Sequence, residues 1–188
     1  MTIQVADYDP KWEADFLSIS EPLLRALEPL SVRFEHVGST SVPGLAAKPV
    51  IDLDVIVARE NVPEVIEMLG KIGYRHRGDL GIEDREAFFQ PSEILIKHHL
   101  YVCVEGTTSL RNHLTLRDWL RTNPRDRERY GELKKQLASE FPGDIESYGA
   151  GKTAFITAIL ERSGFNSSEL SSIELANQPG KGPEGSDD

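Results

Sequence analysis

Apolar residues recur at helical spacing near the start of the chain. Asp9-Pro10 is a helix-start signal, and Trp12, Phe16 and Ile19 follow it on one face. Leu23, Leu24 and Leu27 continue after Pro22, which is read as opening a second helical stretch. The period then changes to two. Residues 32–37 alternate as a strand ending at Gly38, and residues 50–57 form a strand of β-branched and Leu residues interrupted only by two aspartates. Val62, Val65, Ile66 and Leu69 restore the helical period until Gly73 stops it. Strands are expected over 74–77, 86–90 and 94–104, with gaps short enough for antiparallel connections. Beyond Glu105-Gly106 the pattern is helical again. Leu110, Leu114, Leu116, Trp119 and Leu120 make one face. A helix opened by Pro124 carries Tyr130, Leu133, Leu137 and Phe141 up to the Pro142-Gly143 break, and a last helix spans 150–162. The expected fold is α+β: a mixed β-sheet with helices and a helical C-terminal region, in one domain over residues 1–164. Residues 165–188, rich in Ser, Asn, Gly, Pro and acids, are expected to form a disordered acidic tail.

One polar interruption carries the chemistry. Asp52 and Asp54 are spaced i, i+2 in a strand, so both point to one face while Ile51, Leu53 and Val55 point to the other. Adjacent carboxylates repel and lose hydration, and a divalent cation between them relieves both penalties. Mg2+ favours such oxygen ligands together with phosphate oxygens. Upstream, Gly38-Ser39-Thr40 is a turn whose backbone N–H groups and hydroxyls suit a phosphate, with Lys48 within reach. The alternative for each piece is plain structure: a solvated strand end and an ordinary turn. His99 and Tyr101 share a strand face, with His98 on the other. His99 is a candidate metal or phosphate contact or general base, or else a hydrogen-bonded structural histidine. His36 and His113 show no metal-ligand spacing and are read as packing or capping residues.

Composition narrows the classes. The 188 residues carry a net charge of −10. Five acids face Lys181 alone after residue 164, and the remainder is acidic too, which argues against broad DNA binding. No apolar run approaches a membrane span, and the N-terminus lacks the basic-then-apolar order of a signal peptide. The single cysteine, Cys103, allows no intrachain disulfide and reads as a core residue. These features predict a cytoplasmic protein.

Gly-Ser followed at this distance by Asp-x-Asp resembles the nucleotidyltransferase superfamily of the DNA polymerase β type. The longer string His36 to Asp54, HVGSTSVPGLAAKPVIDLD, resembles the GrpB family more specifically. Leu116-Arg117-Asp118-Trp119-Leu120-Arg121, Tyr130-x-x-x-Lys134 and Tyr148-x-x-x-Lys152-x-x-Phe155-Ile156 agree with it. The resemblance covers roughly residues 8–160 and implies a nucleotidyltransferase-like core. It also implies kinship with a domain attached to dephospho-CoA kinase in some bacteria. The chain departs from the family at Tyr101, where a second histidine is usual. No acid within 97–104 supplies the third metal carboxylate of active superfamily enzymes.

The expected function is Mg2+-dependent transfer of a nucleotidyl or phosphoryl group from a nucleoside triphosphate to an unknown acceptor. Asp52, Asp54 and His99 are the catalytic candidates, the two aspartates holding metal. Gly38, Ser39, Thr40, Lys48, Arg117 and Lys152 are the nucleotide-binding candidates. The alternatives are a non-catalytic module that binds a nucleotide or CoA precursor, and a partner-binding regulator on an inactive fold.

Overall fold

The structure, a computed structural model, describes residues 2–178. Five strands form one mixed sheet in the order β1-β2-β5-β4-β3: β1 (Arg33–Val37), β2 (Ile51–Val57), β3 (Arg75–Gly78), β4 (Arg85–Phe89) and β5 (His98–Val104). β1 runs antiparallel to β2 and β2 parallel to β5; β4 is antiparallel to β5 and to β3. The α+β class expected from the periodicity is the class observed. Among the described residues no helix is long and apolar enough to cross a membrane.

The sheet's period of two separates an apolar face from a polar one. Ile51, Leu53, Val55 and Val57, with Leu100 and Val102, face α1 (Lys11–Ala26) and α2 (Val62–Lys71) and form the largest core. Asp52, Asp54 and Ile56 face the other way. There Ile56 and Cys103 pack against Leu110 of α3 (Thr108–Thr122). A second core unites Leu120 with Tyr130 of α4 (Pro124–Glu140) and Ile159 of α6 (Thr153–Arg162). The polar face of β2 is thus roofed by the C-terminal helices.

Three boundaries differ from the sequence pattern. Pro22 lies inside α1 instead of opening a new helix. Trp12, Ile19 and Leu23 form one buried stripe across it, and that burial outweighs the hydrogen bond a helical proline forfeits. The last predicted helix is split: α5 (Ile145–Ala150) starts at Asp144, whose side chain accepts the Ser147 N–H at 3.0 Å, and α6 begins only at Thr153. Residues 165–176, assigned above to a disordered tail, instead enter the fold through α7 (Ser167–Ala176). Asn166 and Glu169 form a reciprocal capping box, and Phe165 and Ile173 are buried with Leu160. A cap and three apolar anchors outweigh the polar composition. The acidic end of the expected tail, residues 179–188, lies outside the described residues.

The β1–β2 connection fixes the site. Gly38 has φ 67° and ψ −171°, a conformation open essentially to glycine alone. A Cβ there would lie 2.1 Å from Asp52 Oδ2. Replacement by alanine therefore combines backbone strain with a clash, and Gly38→Ala is expected to cost about 2 kcal/mol or more, read as a lowered urea midpoint. Ile173→Ala is expected to cost about 2 kcal/mol, because α7 is anchored through this side chain. An unchanged midpoint would show α7 to be energetically detached.

Candidate functional site

β2 presents its two carboxylates to the same face, but their surroundings differ. Asp52 stays partly open, with 28% of its side chain exposed. Its Oδ1 meets His99 Nδ1 at 2.8 Å across the β2–β5 register. Burial works against its ionisation, but the His99 hydrogen bond and the charges of His99, His113 and Lys152 hold its pKa below the usual carboxylate value. An ionised carboxylate only accepts, so Nδ1 carries a proton, and in the tautomer this fixes the lone pair falls on Nε2.

Asp54 is completely buried. Its Oδ2 meets Nδ1 of His113, from α3, at 2.8 Å, while Oδ1 has no hydrogen-bond partner. Tyr101, in register with Asp54, separates the two Asp–His pairs, its ring centroid 6.2 Å from that of His99 and 5.9 Å from that of His113. The Arg85 guanidinium lies 4.6 Å from the Tyr101 ring centroid. Asp52 and Asp54, read from the sequence as a pair around one metal, share a strand face, but here Asp54 is buried and hydrogen-bonded to His113 while Asp52 is partly open. His113 was missed because nothing in the local spacing links it to a residue 59 positions away.

Asp52 and His99 line a cleft of about 420 Å3, with Ser39, Thr40 and Lys48 on the β1–β2 side and Lys134, Tyr148 and Lys152 from the helices. Lys134 and Lys152 each sit one helical turn beyond a tyrosine, and each ammonium lies over that ring: 4.7 Å to Tyr130 and 4.5 Å to Tyr148. Lys134 also donates to the Ala46 carbonyl. Burial, reinforced by Lys152, lowers the Lys134 pKa to about 6, with Asp52 opposing. Burial and Lys48 lower Lys152 to about 8, again against Asp52. Lys48 is lowered too, by burial and Lys97. Three crowded cations with one small carboxylate among them favour an anion in the cleft. The Tyr-x-x-x-Lys spacing was visible in the sequence, but it did not place Lys134 among the site residues.

The turn itself is braced from behind. Thr40 pairs with His36 Nε2 at 3.0 Å, Ser41 donates to the Gly38 carbonyl at 2.6 Å, and Arg121 donates twice to the Ser41 carbonyl. The His36 ring stacks on Phe16, and burial lowers its pKa to about 4. Arg117, expected at the nucleotide, does not line this cleft. It donates to Glu35 at 2.6 Å, to the His36 carbonyl at 3.1 Å and to Asp118 at 2.7 Å, tying α3 to β1. A nearly buried guanidinium needs such partners, and they occupy it.

The residues only half fit the metal centre that the superfamily resemblance implies. Asp52 is the one candidate carboxylate open to the cleft, enough for an ion shared with a ligand's own phosphate oxygens but not for a two-carboxylate site. Asp54, Cys103 and His113 have ligand atoms within 4.8 Å of one another, but this O/S/N set is not the all-oxygen set of Mg2+.

Comparison with known proteins agrees with this architecture. A family model described as GrpB protein matches residues 2–162. The UPF0157 protein YqkA of Bacillus subtilis is 34% identical over 160 residues, 85% of this chain and 46% of that protein, so the chain spans about half the length of that relative. The crystal structure of the conserved protein GrpB from Enterococcus faecalis superposes with a TM-score of 0.74 at 34% identity, covering 92% of this chain and 98% of that one. The Cid1 poly(U) polymerase bound to MgGTP shares the fold at 15% identity, with a TM-score of 0.51 over 72% of this chain and 44% of that one. The nucleotidyltransferase-like fold is therefore shared across chains of very different sequence, and on the extent of the family match this chain belongs to the GrpB family.

Proposed function

We propose that this protein transfers a nucleotidyl or phosphoryl group from a nucleoside triphosphate to an acceptor. The observation that carries the reading is the convergence of Lys48, Lys134 and Lys152 on the Asp52–His99 pair in one cleft. The lysines offset phosphate charge and orient the polyphosphate. Ser39 supplies a hydroxyl at the turn, and Gly38 lets Asp52 approach the backbone that carries it. Tyr148 offers an aromatic surface to a base, and His99 offers an imidazole at the reacting end. Mg2+, when bound with the nucleotide at Asp52, would offset triphosphate charge.

A second reading, a non-catalytic module for a nucleotide or CoA precursor, draws support from the enclosure of Asp54, which leaves only one of the two strand aspartates open to the cleft. The two readings separate by titration calorimetry with ATP, GTP, CTP, UTP and dephospho-CoA, each with Mg2+ and with EDTA. The transferase predicts Mg2+-dependent triphosphate binding, weakened about tenfold or more in Asp52→Asn, that is by about 1.4 kcal/mol. The module predicts binding, dephospho-CoA included, that is indifferent to chelation and to the substitution. Binding of none of these compounds would sink both.

The lysines impose a pH dependence. Their pKa values are lowered in the empty cleft, so each lysine is charged only below its own value, and an anion stabilises the charged form. Triphosphate binding should therefore take up protons near neutral pH. Affinity should fall as pH rises from 7 to 9 through the Lys152 value of about 8, by up to about tenfold per pH unit for one linked proton. Calorimetry in buffers of different ionisation enthalpy measures the uptake directly. Proton release, or affinity that rises with pH, would contradict the anion site.

A further inference from the structure

We infer, resting on the transferase reading above, that His99 is the nucleophile of a two-step transfer and carries the migrating group on Nε2 as a covalent N–P intermediate. Geometry selects it. Of the five histidines in the chain, His99 alone lines the lysine cleft. The others are committed elsewhere. His98 uses both ring nitrogens, on Tyr74 at 2.7 Å and on the Ile96 carbonyl at 2.9 Å. His36 bonds Thr40, His113 bonds Asp54, and His76 bonds Glu86 on the β3–β4 hairpin.

His99 is also built for the task. It sits on β5, in the interior of the sheet, with about half of its side chain exposed. Asp52 accepts a hydrogen bond from Nδ1–H and fixes the ring, so the Nε2 lone pair lies on the opposite side of the imidazole, with no partner among the described residues. This is the arrangement of an activated nucleophile: an orienting carboxylate, a free nitrogen, and cations placed for the anionic centre it attacks. Among competing groups, Lys134 donates to Ala46, while Cys103 is fully buried. Tyr101 is pushed to about 12 by burial and stays protonated. The burial of Asp54 gives the same direction. With one of the two strand carboxylates closed off, the site is poorly equipped to activate an acceptor hydroxyl by a pair of metals, and a histidine relay divides the transfer into two displacements at phosphorus.

The steps balance. In the first, Nε2 attacks phosphorus, the N–P bond forms and the bond to the leaving phosphate or pyrophosphate oxygen breaks, the electron pair going to that oxygen. The positive charge on the substituted imidazole is offset by Asp52 through Nδ1–H. In the second, an acceptor hydroxyl attacks phosphorus, the N–P bond breaks, its electron pair returns to Nε2, and the hydroxyl proton is released to water.

The test is labelling in the absence of acceptor. Full-length protein is incubated with Mg2+ and ATP, GTP, CTP or UTP carrying 32P at the α or the γ position, quenched in alkaline detergent and mapped by peptide. Wild type should retain label that survives alkali and is lost in acid, on the peptide containing His99. An α-label identifies nucleotidyl transfer and a γ-label phosphoryl transfer. Label should fall to background in both His99→Ala and His99→Asn and persist in His76→Gln. Free imidazole should restore consumption of the nucleotide in His99→Gly by taking the group itself. Potassium phosphoramidate, which phosphorylates imidazoles without a nucleotide, should modify His99 in wild type, giving a second readout. Wild type that binds triphosphate with Mg2+ yet carries no acid-labile label overturns the intermediate while leaving the transferase reading standing, as does label that survives loss of His99. Failure to bind any triphosphate overturns both.

Discussion

Two carboxylates on strand β2, each answered by an imidazole, are the constraint around which the polar half of the molecule is built. A buried carboxylate must find hydrogen bonds and a compensating charge. Asp54 meets that demand by drawing His113 from α3, which docks the helix onto the sheet beside Ile56 and Cys103. Asp52 meets it with His99, its register neighbour on β5, and with the lysines beyond. One pair therefore holds α3 in place and the other is left open to a ligand. Two residues apart in sequence, they perform different work because one side of the strand is roofed at Asp54 and unroofed at Asp52.

The backbone bends to this arrangement. Gly38 is required both by its own backbone conformation and by Asp52, whose carboxylate occupies the space a side chain would need. Arg121 and Ser41 then brace the turn from behind, and Arg117 fastens α3 to β1. Arg117 and Arg121, whose planar forks satisfy several acceptors at once, are thus used for structure. Lys48, Lys134 and Lys152, whose pKa shifts readily with burial, line the cleft. A charge-counting view of the sequence does not distinguish the two.

The sheet was legible because its signals are local. Alternation marks β1, the β-branched run marks β2, and Gly73 ends α2. Ser39, Lys48, Asp52, His99 and Lys152, singled out in the sequence by motif and strand parity, line one cleft. What was not legible depends on distance in the chain. Nothing near Asp54 announces that a histidine 59 residues later will close over it. Nothing near Arg117 announces Glu35 as its partner. Helix α7 is an intermediate case. Its Asn-x-x-Glu cap was present in the sequence, but composition outweighed it, and only the burial of Phe165 and Ile173 beside Leu160 shows why the segment folds.

The shared fold and the local chemistry point in different directions, and the difference is instructive. Fold likeness at 15% identity establishes how strands and helices are arranged, not which side chains react. In this chain the arrangement brings a strand carboxylate to the rim of a cleft, as a nucleotidyltransferase-like fold would lead one to expect. The second carboxylate, on the same strand face, is buried and paired with His113, with the Tyr101 ring between the two histidines. Cationic charge at the cleft is instead supplied by lysines held near their point of deprotonation. Charged lysines are unfavourable in the empty cleft and become favourable when an anion arrives, so on the proposed function the desolvation built into the fold would favour a phosphorylated ligand without calling on Asp54, which serves the core.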